Sequence, residues 1–195
     1  MVTENGVDKY KKYKVVYADP PWSYNHKYEL GYSTMTLEQI MSLPIQNIMS
    51  NNSVLFLWVT CPMQEEAMEV MKAWGYTYKT KIYWRKMGRL GMGFWFRGVI
   101  EELWLGVKGE VKAFGLQIPN YFKDVARVHS QKPDYARTII EMTRLEPRIE
   151  LFARQKIEGW DAWGNEVDSD IELIPTCDKK FKSYVNPKLL AGGRE

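Results

Sequence analysis

Four consecutive residues near the start of the chain, Asp19, Pro20, Pro21 and Trp22, combine a carboxylate, a stiff backbone and an indole. An exocyclic amine on a nucleobase is a poor nucleophile because its lone pair is delocalised into the ring. A carboxylate and a neighbouring carbonyl can accept its two N–H bonds, and prolines fix φ without adding a competing N–H. We therefore expect Asp19 and the Pro20 carbonyl to hold such an amine while Trp22 stacks on the base. The alternative is a structural turn in which Asp19 caps a neighbouring backbone.

The surrounding sequence predicts where this segment lies in a fold. Residues 14–18 (KVVYA) and 53–59 (SVLFLWV) are apolar runs typical of buried strands. Thr36 and Gln39 form a capping-box pattern, and Pro62 and Pro133 each stand at the start of a helical pattern. Further strands are expected at 76–86, 101–109 and 148–154, the last of them the final strand, with an irregular segment at 111–127. This alternation predicts a largely parallel sheet, in which ligands bind at the carboxyl ends of strands. Asp19 follows such an end.

Composition narrows the class of protein. A chain of 195 residues, 45% hydrophobic and 26% charged, is typical of one globular domain. We expect neither a membrane span nor a signal peptide, and therefore a cytoplasmic protein. The two cysteines lack metal-ligand spacing, so no metal site is expected. The net charge of +3 is too small to indicate a nucleic-acid partner by itself.

Several blocks in order carry a family resemblance: ADPPW, GYSTM, LFLWVT, GFWF with the following GVKG, SQKPD, and IELFAR with WGN. Together they resemble the MT-A family of adenine N6-methyltransferases in its D-P-P-W form. The resemblance implies an α/β, Rossmann-like class I methyltransferase fold with permuted motif order and a single domain. It also implies S-adenosylmethionine as methyl donor, S-adenosylhomocysteine as product and the N6 amine of adenine as acceptor. The catalytic domain is expected at 14–166, between an N-terminal segment, 1–13, and a basic C-terminal tail, 167–195.

The resemblance assigns roles to residues that match the motifs. Asp19, Pro20, Pro21 and Trp22 match the catalytic motif. The residues that stand at family contacts to the cofactor are Asp19, Lys132, Arg154, Asn165 and Glu166. Glu166 replaces a glutamine of the family's mRNA methyltransferase, and its carboxylate can still accept hydrogen bonds from ribose hydroxyls. Those placed near the substrate are Tyr32 in GYSTM, Arg97 after GFWF, and Glu101.

A basic, aromatic stretch at 79–98 contains no acidic residue. Arg85, Lys86 and Arg89 are its expected contacts to nucleic acid, and such contacts would be strongly salt-dependent. DNA is favoured over RNA as substrate, because the small single-domain build resembles prokaryotic and phage members of the family. The alternatives are an RNA adenosine methyltransferase, a catalytically silent subunit, and a protein-amide methyltransferase. A homodimer or a heterodimer with a related subunit is expected to be possible.

Overall fold

A seven-stranded mixed sheet organises the part of the chain that the computed structural model describes, which is residues 11–23, 34–88, 90–91, 93, 95–126 and 131–176. Its strands in chain order are β1 (Tyr13–Ala18), β2 (Met49–Thr60), β3 (Thr77–Met87), β4 (Ile100–Lys108), β5 (Tyr121–Val125), β6 (Arg148–Leu151) and β7 (Asp161–Trp163). The order across the sheet is β5-β3-β4-β2-β1-β6-β7. Strand β4 is antiparallel to β2 and β3, and the other neighbouring strands pair in parallel. The expected α/β architecture is confirmed.

Helices cover the two faces of this sheet. Helices α1 (Leu37–Met41) and α2 (Gln64–Ala73) pack on one face, where their apolar residues join a core with Leu55, Leu57 and Trp104. Helix α3 (Asp134–Met142) packs on the other face, where Ile139 and Ile140 meet Tyr17, Phe56 and Trp58. The chain also forms short 3-10 turns at Ile45–Asn47 and Cys61–Met63. No helix of the described residues is long and apolar enough to cross a membrane.

Local sequence accounts for the helix ends. Thr36 caps α1 through the reciprocal capping box with Gln39 that the sequence predicts. Helix α2 ends before Gly75, whose φ of +79° is a conformation that glycine adopts without strain.

The reversed direction of β4 determines which residues lie together at the end of the sheet where β1, β2 and β3 finish. This end is called here the carboxyl edge. Because β4 runs against its neighbours, its first residues lie beside the last residues of β2 and β3, with Glu101 paired to Thr60 and to Trp84. Asp19 follows β1 at the same edge, since β1 and β2 are parallel. The topology therefore brings two acidic residues, 82 positions apart in sequence, to one edge.

Two short strands were not expected. Residues 121–125 fall in the segment predicted to be irregular, but they form β5, which pairs in parallel with the end of β3. The prediction that 148–154 contains the final strand is also wrong, because β7 follows and pairs with β6. Both strands lie at an edge of the sheet, where one partner is enough to form them.

Packing does not stop at the expected domain boundaries. Tyr13 is fully buried in β1, and Val167 and Leu173 are 6% and 2% exposed. The Asp170 carboxylate accepts a hydrogen bond from the Ala162 N–H at 2.8 Å, and its own N–H donates to the Ala162 carbonyl at 2.8 Å. Residues 167–176 are therefore part of the folded unit, and the rest of the expected tail lies outside the described residues.

A buried ion pair fastens α3 to the sheet. The Arg137 guanidinium donates to both carboxylate oxygens of Glu150 in β6, at 3.0 and 2.9 Å, and only about a tenth of each side chain is exposed. Its central carbon also lies 5.6 Å from the centre of the Tyr17 ring. Asp134, one turn earlier on α3, accepts a third hydrogen bond from the guanidinium at 3.3 Å, but Glu150 is its buried partner. Glu150 in turn depends on Arg137, because its carboxylate is almost wholly enclosed.

We predict that Glu150→Ala lowers the free energy of unfolding by about 3–5 kcal/mol, since it leaves a buried guanidinium with only the partly exposed Asp134 carboxylate, 3.3 Å away, as its partner. The double variant Arg137→Met/Glu150→Met should recover most of this loss, because no unpaired charge remains. Urea denaturation of the wild type and both variants measures the difference. A double variant no more stable than Glu150→Ala would contradict the explanation.

Candidate functional site

Asp19 and Lys132 meet at the carboxyl edge of the sheet. Lys132 lies just before α3, and its Nζ atom is 2.7 Å from Oδ2 of Asp19 and 3.4 Å from Oε2 of Glu101. The Lys132 side chain is 9% exposed, whereas that of Asp19 is 26% exposed. The ammonium is therefore enclosed between two carboxylates, and Asp19 is the one of the pair that faces solvent.

Lys86 extends this arrangement. Its ammonium binds Oε1 of Glu101, so that charges alternate in sign from Asp19 through Lys132 and Glu101 to Lys86. Asp19 directly follows β1, Lys86 belongs to β3, Glu101 to β4 and Lys132 to the segment before α3. This series of charges, called here the edge charge network, joins parts of the chain that are distant in sequence.

Burial and the neighbouring charges shift the ionisation of the network. Burial raises the pKa of the Asp19 carboxyl, and the Lys132 ammonium only partly opposes it. Burial would also raise the pKa of Glu101, but Lys132 and Lys86 together outweigh it and lower that pKa. Burial alone would lower the pKa of Lys132, but the two carboxylates raise it above its ordinary value. Glu101 and Lys132 are thus stabilised as ions, while Asp19 is the stronger proton acceptor of the two carboxylates.

Trp22 has a different place from the one expected. Its indole is 4% exposed and donates a hydrogen bond to the Trp58 carbonyl at 3.3 Å, so it is not available to stack on a base. Its backbone N–H donates to the Pro20 carbonyl at 2.9 Å. A carbonyl oxygen has two lone pairs, so Pro20 keeps the capacity to accept a second hydrogen bond. Trp22 therefore anchors the turn that presents Asp19.

The ring of Trp58 in β2 packs against the edge charge network. Lys132 Nζ lies 5.6 Å from the centre of its ring, which is within the range of a cation–π contact. The Trp58 indole donates to the Tyr17 hydroxyl at 2.6 Å, and its carbonyl holds Trp22. Trp58 was not among the expected site residues. The block LFLWVT marked its position, but an apolar strand pattern does not distinguish a supporting tryptophan from any other core residue.

The ends of β6 and β7 place a second group of polar residues at the same edge. Ala153 donates to the Trp163 carbonyl at 3.0 Å, and a Cβ atom on Gly164 would lie 2.2 Å from the Ala153 carbonyl oxygen. This close approach needs glycine at 164, and it brings the two strand ends together. The residues that follow them are Arg154, Asn165 and Glu166, with Arg154 Nε 3.6 Å from Glu166 Oε1.

These late residues fit the predicted cofactor. A guanidinium, an amide and a carboxylate, all half-buried or exposed, form a donor and acceptor set suited to the hydroxyls and ring nitrogens of a nucleoside. The positive charge of Arg154 partly opposes the rise that burial causes in the pKa of Asp19. The group therefore lies close enough to the edge charge network to act on it electrostatically. Among the described residues there is no cluster of side chains suited to a metal ion.

The residues expected to contact the substrate lie in different parts of the structure. Glu101 and Lys86 belong to the edge charge network, so Lys86 is held by an ion pair and does not share one nucleic-acid surface with Arg85. Arg85 precedes it on β3 and is exposed on the opposite face, because side chains alternate along a strand. Arg97 is exposed between β3 and β4. Tyr32 and Arg89 lie outside the described residues.

Comparisons with known proteins show which family the chain is similar to. The MT-A70 family model matches residues 13–166. The chain is 31% identical over 200 residues to the type II methyltransferase M.MunI from Mycoplasma sp., with 85% of this chain and 82% of that protein covered. It is 35% identical over 185 residues to the human N(6)-adenosine-methyltransferase catalytic subunit METTL3, with 88% of this chain but 31% of that protein covered.

We predict that Lys86→Met lowers the free energy of unfolding by about 1.5–3 kcal/mol at neutral pH, because Glu101 loses a charged partner. The lowered pKa of Glu101 contributes stability above the ordinary value of 4.5, and this contribution is lost as pH falls through the folded pKa. The stabilities of wild type and variant should therefore begin to converge as the pH falls below about 4.5, and should meet below the lowered pKa of Glu101. Urea denaturation at a series of pH values measures this, with Lys14→Met as an exposed control. A difference that is constant with pH would contradict the assignment.

Proposed function

The chain belongs to the MT-A70 family of adenine N6-methyltransferases, and on that premise we propose that it methylates the N6 amine of adenine in nucleic acid with S-adenosylmethionine as donor. The observation that carries the proposal is the position of Asp19. Its carboxylate follows β1 at the carboxyl edge, is partly exposed, and is 2.7 Å from a buried ammonium. DNA is the favoured substrate.

Asp19 prepares the acceptor amine in this proposal. Lys132 contacts Oδ2, so we assign Oδ1 to one N–H of the adenine amine and the Pro20 carbonyl to the other. Two acceptors draw the nitrogen lone pair out of the ring and aim it at the methyl carbon. The amine loses a proton as the new bond forms, and the raised pKa of Asp19 suits its carboxylate to accept that proton.

Lys132, Arg154, Asn165 and Glu166 are the residues we assign to the cofactor. When bound, S-adenosylmethionine supplies a methyl group on a positively charged sulfur and leaves as S-adenosylhomocysteine. Arg154, Asn165 and Glu166 would hold the nucleoside end beside the ends of β6 and β7. Lys132 would attract the carboxylate of the methionine end, while its contacts to Asp19 and Glu101 keep the acid and the cofactor in a fixed relation.

Relatives of both substrate classes bear on the choice of nucleic acid. M.MunI is named as a type II methyltransferase, and the chain spans most of that protein. Human METTL3 is named as an N(6)-adenosine-methyltransferase catalytic subunit, and the chain spans about a third of it. The first supports DNA as the substrate, and the second makes RNA the alternative. The name of METTL3 as a subunit supports the expectation that this chain also pairs with a copy of itself or with a related subunit.

We predict that Asp19→Ala abolishes methyl transfer and leaves cofactor affinity within a few fold, because Asp19 acts on the acceptor. The test incubates wild type and variant with labelled cofactor and with single-stranded DNA, duplex DNA or RNA, and then identifies the methylated nucleoside by mass spectrometry. N6-methyldeoxyadenosine from the wild type alone is the expected result. N6-methyladenosine from RNA alone would support the alternative, and no methylated nucleoside from any substrate would overturn the proposal.

Arg154→Ala and Asn165→Ala should behave in the opposite way and weaken cofactor binding. The loss of a hydrogen bond to a charged or buried group corresponds to roughly tenfold to a hundredfold in affinity. Isothermal titration with the cofactor measures the affinity. Lys14→Ala, near the amino end of β1 and away from the carboxyl edge, is the control. Unchanged titrations in both variants would show that the cofactor binds elsewhere.

A further inference from the structure

The ends of β3 and β5 leave one face of the sheet largely exposed among the described residues. In register, Tyr83 pairs with Tyr121, Arg85 with Lys123, and Met87 with Val125. Because side chains alternate along each strand, these six point to the same face, which is the face that α2 covers further along the sheet. Tyr121 and Met87 are each 41% exposed and Val125 is 61% exposed. The six residues are called here the β3–β5 face.

The charge of this face has one sign. Arg85 and Lys123 are exposed cations, and the face contains no acidic residue. The acid of β5, Asp124, alternates to the other face, where it is in register with Lys86. At the inner end of the face, the Lys81 ammonium lies 5.3 Å from the centre of the Tyr83 ring and binds the buried Glu102 carboxylate at 2.9 Å.

We propose that the β3–β5 face binds a single strand of the nucleic-acid substrate, with bases on Tyr83 and Tyr121 and phosphates on Arg85 and Lys123. Aromatic rings that alternate with cations on an open sheet match what a nucleic-acid strand offers, because every base has a flat apolar face and every link carries a negative charge. This inference rests on the proposed methyltransferase function and extends it to β5, which no expected site residue belongs to.

The position of the face suits this role. The carboxyl ends of β3 and β5 lie at the same edge as Asp19, and β3 is the third strand from β1. At about 4.8 Å between strands, the two are separated by about 14 Å. The catalytic acid lies on the α3 side of the sheet and the proposed strand site on the α2 side. A strand bound to the face would therefore cross the edge of the sheet to deliver its adenine to Asp19.

Binding and its salt dependence test the proposal in two independent ways. The probe is a fluorescein-labelled single-stranded DNA of about 12 nucleotides that contains one adenine among thymines. Its anisotropy is measured with the full chain at several salt concentrations. In Arg85→Gln/Lys123→Gln the loss of two phosphate contacts should make the slope of log affinity against log salt shallower by about 1.4. Tyr121→Ala should lower affinity roughly fivefold to a hundredfold and leave the slope unchanged.

Two matched controls distinguish the face from the rest of the surface. Tyr135→Ala removes a tyrosine that is 42% exposed but lies on α3, on the other side of β5, and Lys14→Gln removes a cation at the opposite edge. Both should bind the probe as the wild type does. Equal affinities and slopes in all variants, or equal losses in the controls, would overturn the proposal.

Light scattering and the methylation assay separate the remaining outcomes. If the face variants lose binding only because they change from a dimer to a monomer, the face is an interface between copies and the proposal is wrong. If the wild type methylates its substrate and the face variants bind the probe as tightly as the wild type, the strand site is wrong and the proposed function stands. A wild type that binds the probe through this face but methylates nothing would overturn the proposed function alone.

Discussion

The placement of one buried ammonium between two carboxylates is the constraint on which the site depends. Lys132 is 9% exposed, so neither it nor Glu101 can exchange its partner for water. A buried charge that loses its partner is strongly unfavourable, and this makes the relative positions of β1, β4 and the segment before α3 interdependent. Asp19 gains a fixed orientation from a contact that also secures the fold. Such a site is kept in shape by the same interactions that hold the sheet edge together.

The reversed strand β4 gives this constraint its geometry. In an entirely parallel sheet the first residues of β4 would lie at the opposite edge from Asp19. Running against its neighbours, β4 contributes Glu101 to the α3 side of the carboxyl edge and Glu102 to the α2 side. Glu102 accepts hydrogen bonds from Trp104, Lys81 and Gln64, whereas Glu101 is reserved for Lys132 and Lys86. Two adjacent acids in sequence thus serve opposite faces of the sheet.

Elements whose sequence pattern is contained within a few consecutive residues could be predicted from the sequence. The apolar runs of β1 and β2, the capping box of α1 and the D-P-P-W segment each carry their information within a few residues. Strands β5 and β7 could not be predicted because they are short edge strands whose pairing is supplied by β3 and β6. The separation of Arg85 from Lys86 follows from alternation along a strand that was itself predicted, but the sequence does not reveal that Glu101 on the neighbouring strand binds Lys86. The roles of Trp22 and Trp58 could not be predicted either. The sequence does not distinguish a tryptophan that is buried and anchors a turn from one that is exposed and stacks on a base.

The contact between Asp170 and Ala162 has a consequence for how the molecule behaves at high concentration. The outer edge of β7 would otherwise offer a backbone N–H and carbonyl to any extended chain, which is how sheets of separate molecules join and aggregate. Asp170 occupies both groups of Ala162 and adds a negative charge at the same point, with Lys156 bound to that carboxylate at 2.7 Å. One aspartate therefore ends the sheet at β7 and blocks the addition of another strand at that edge.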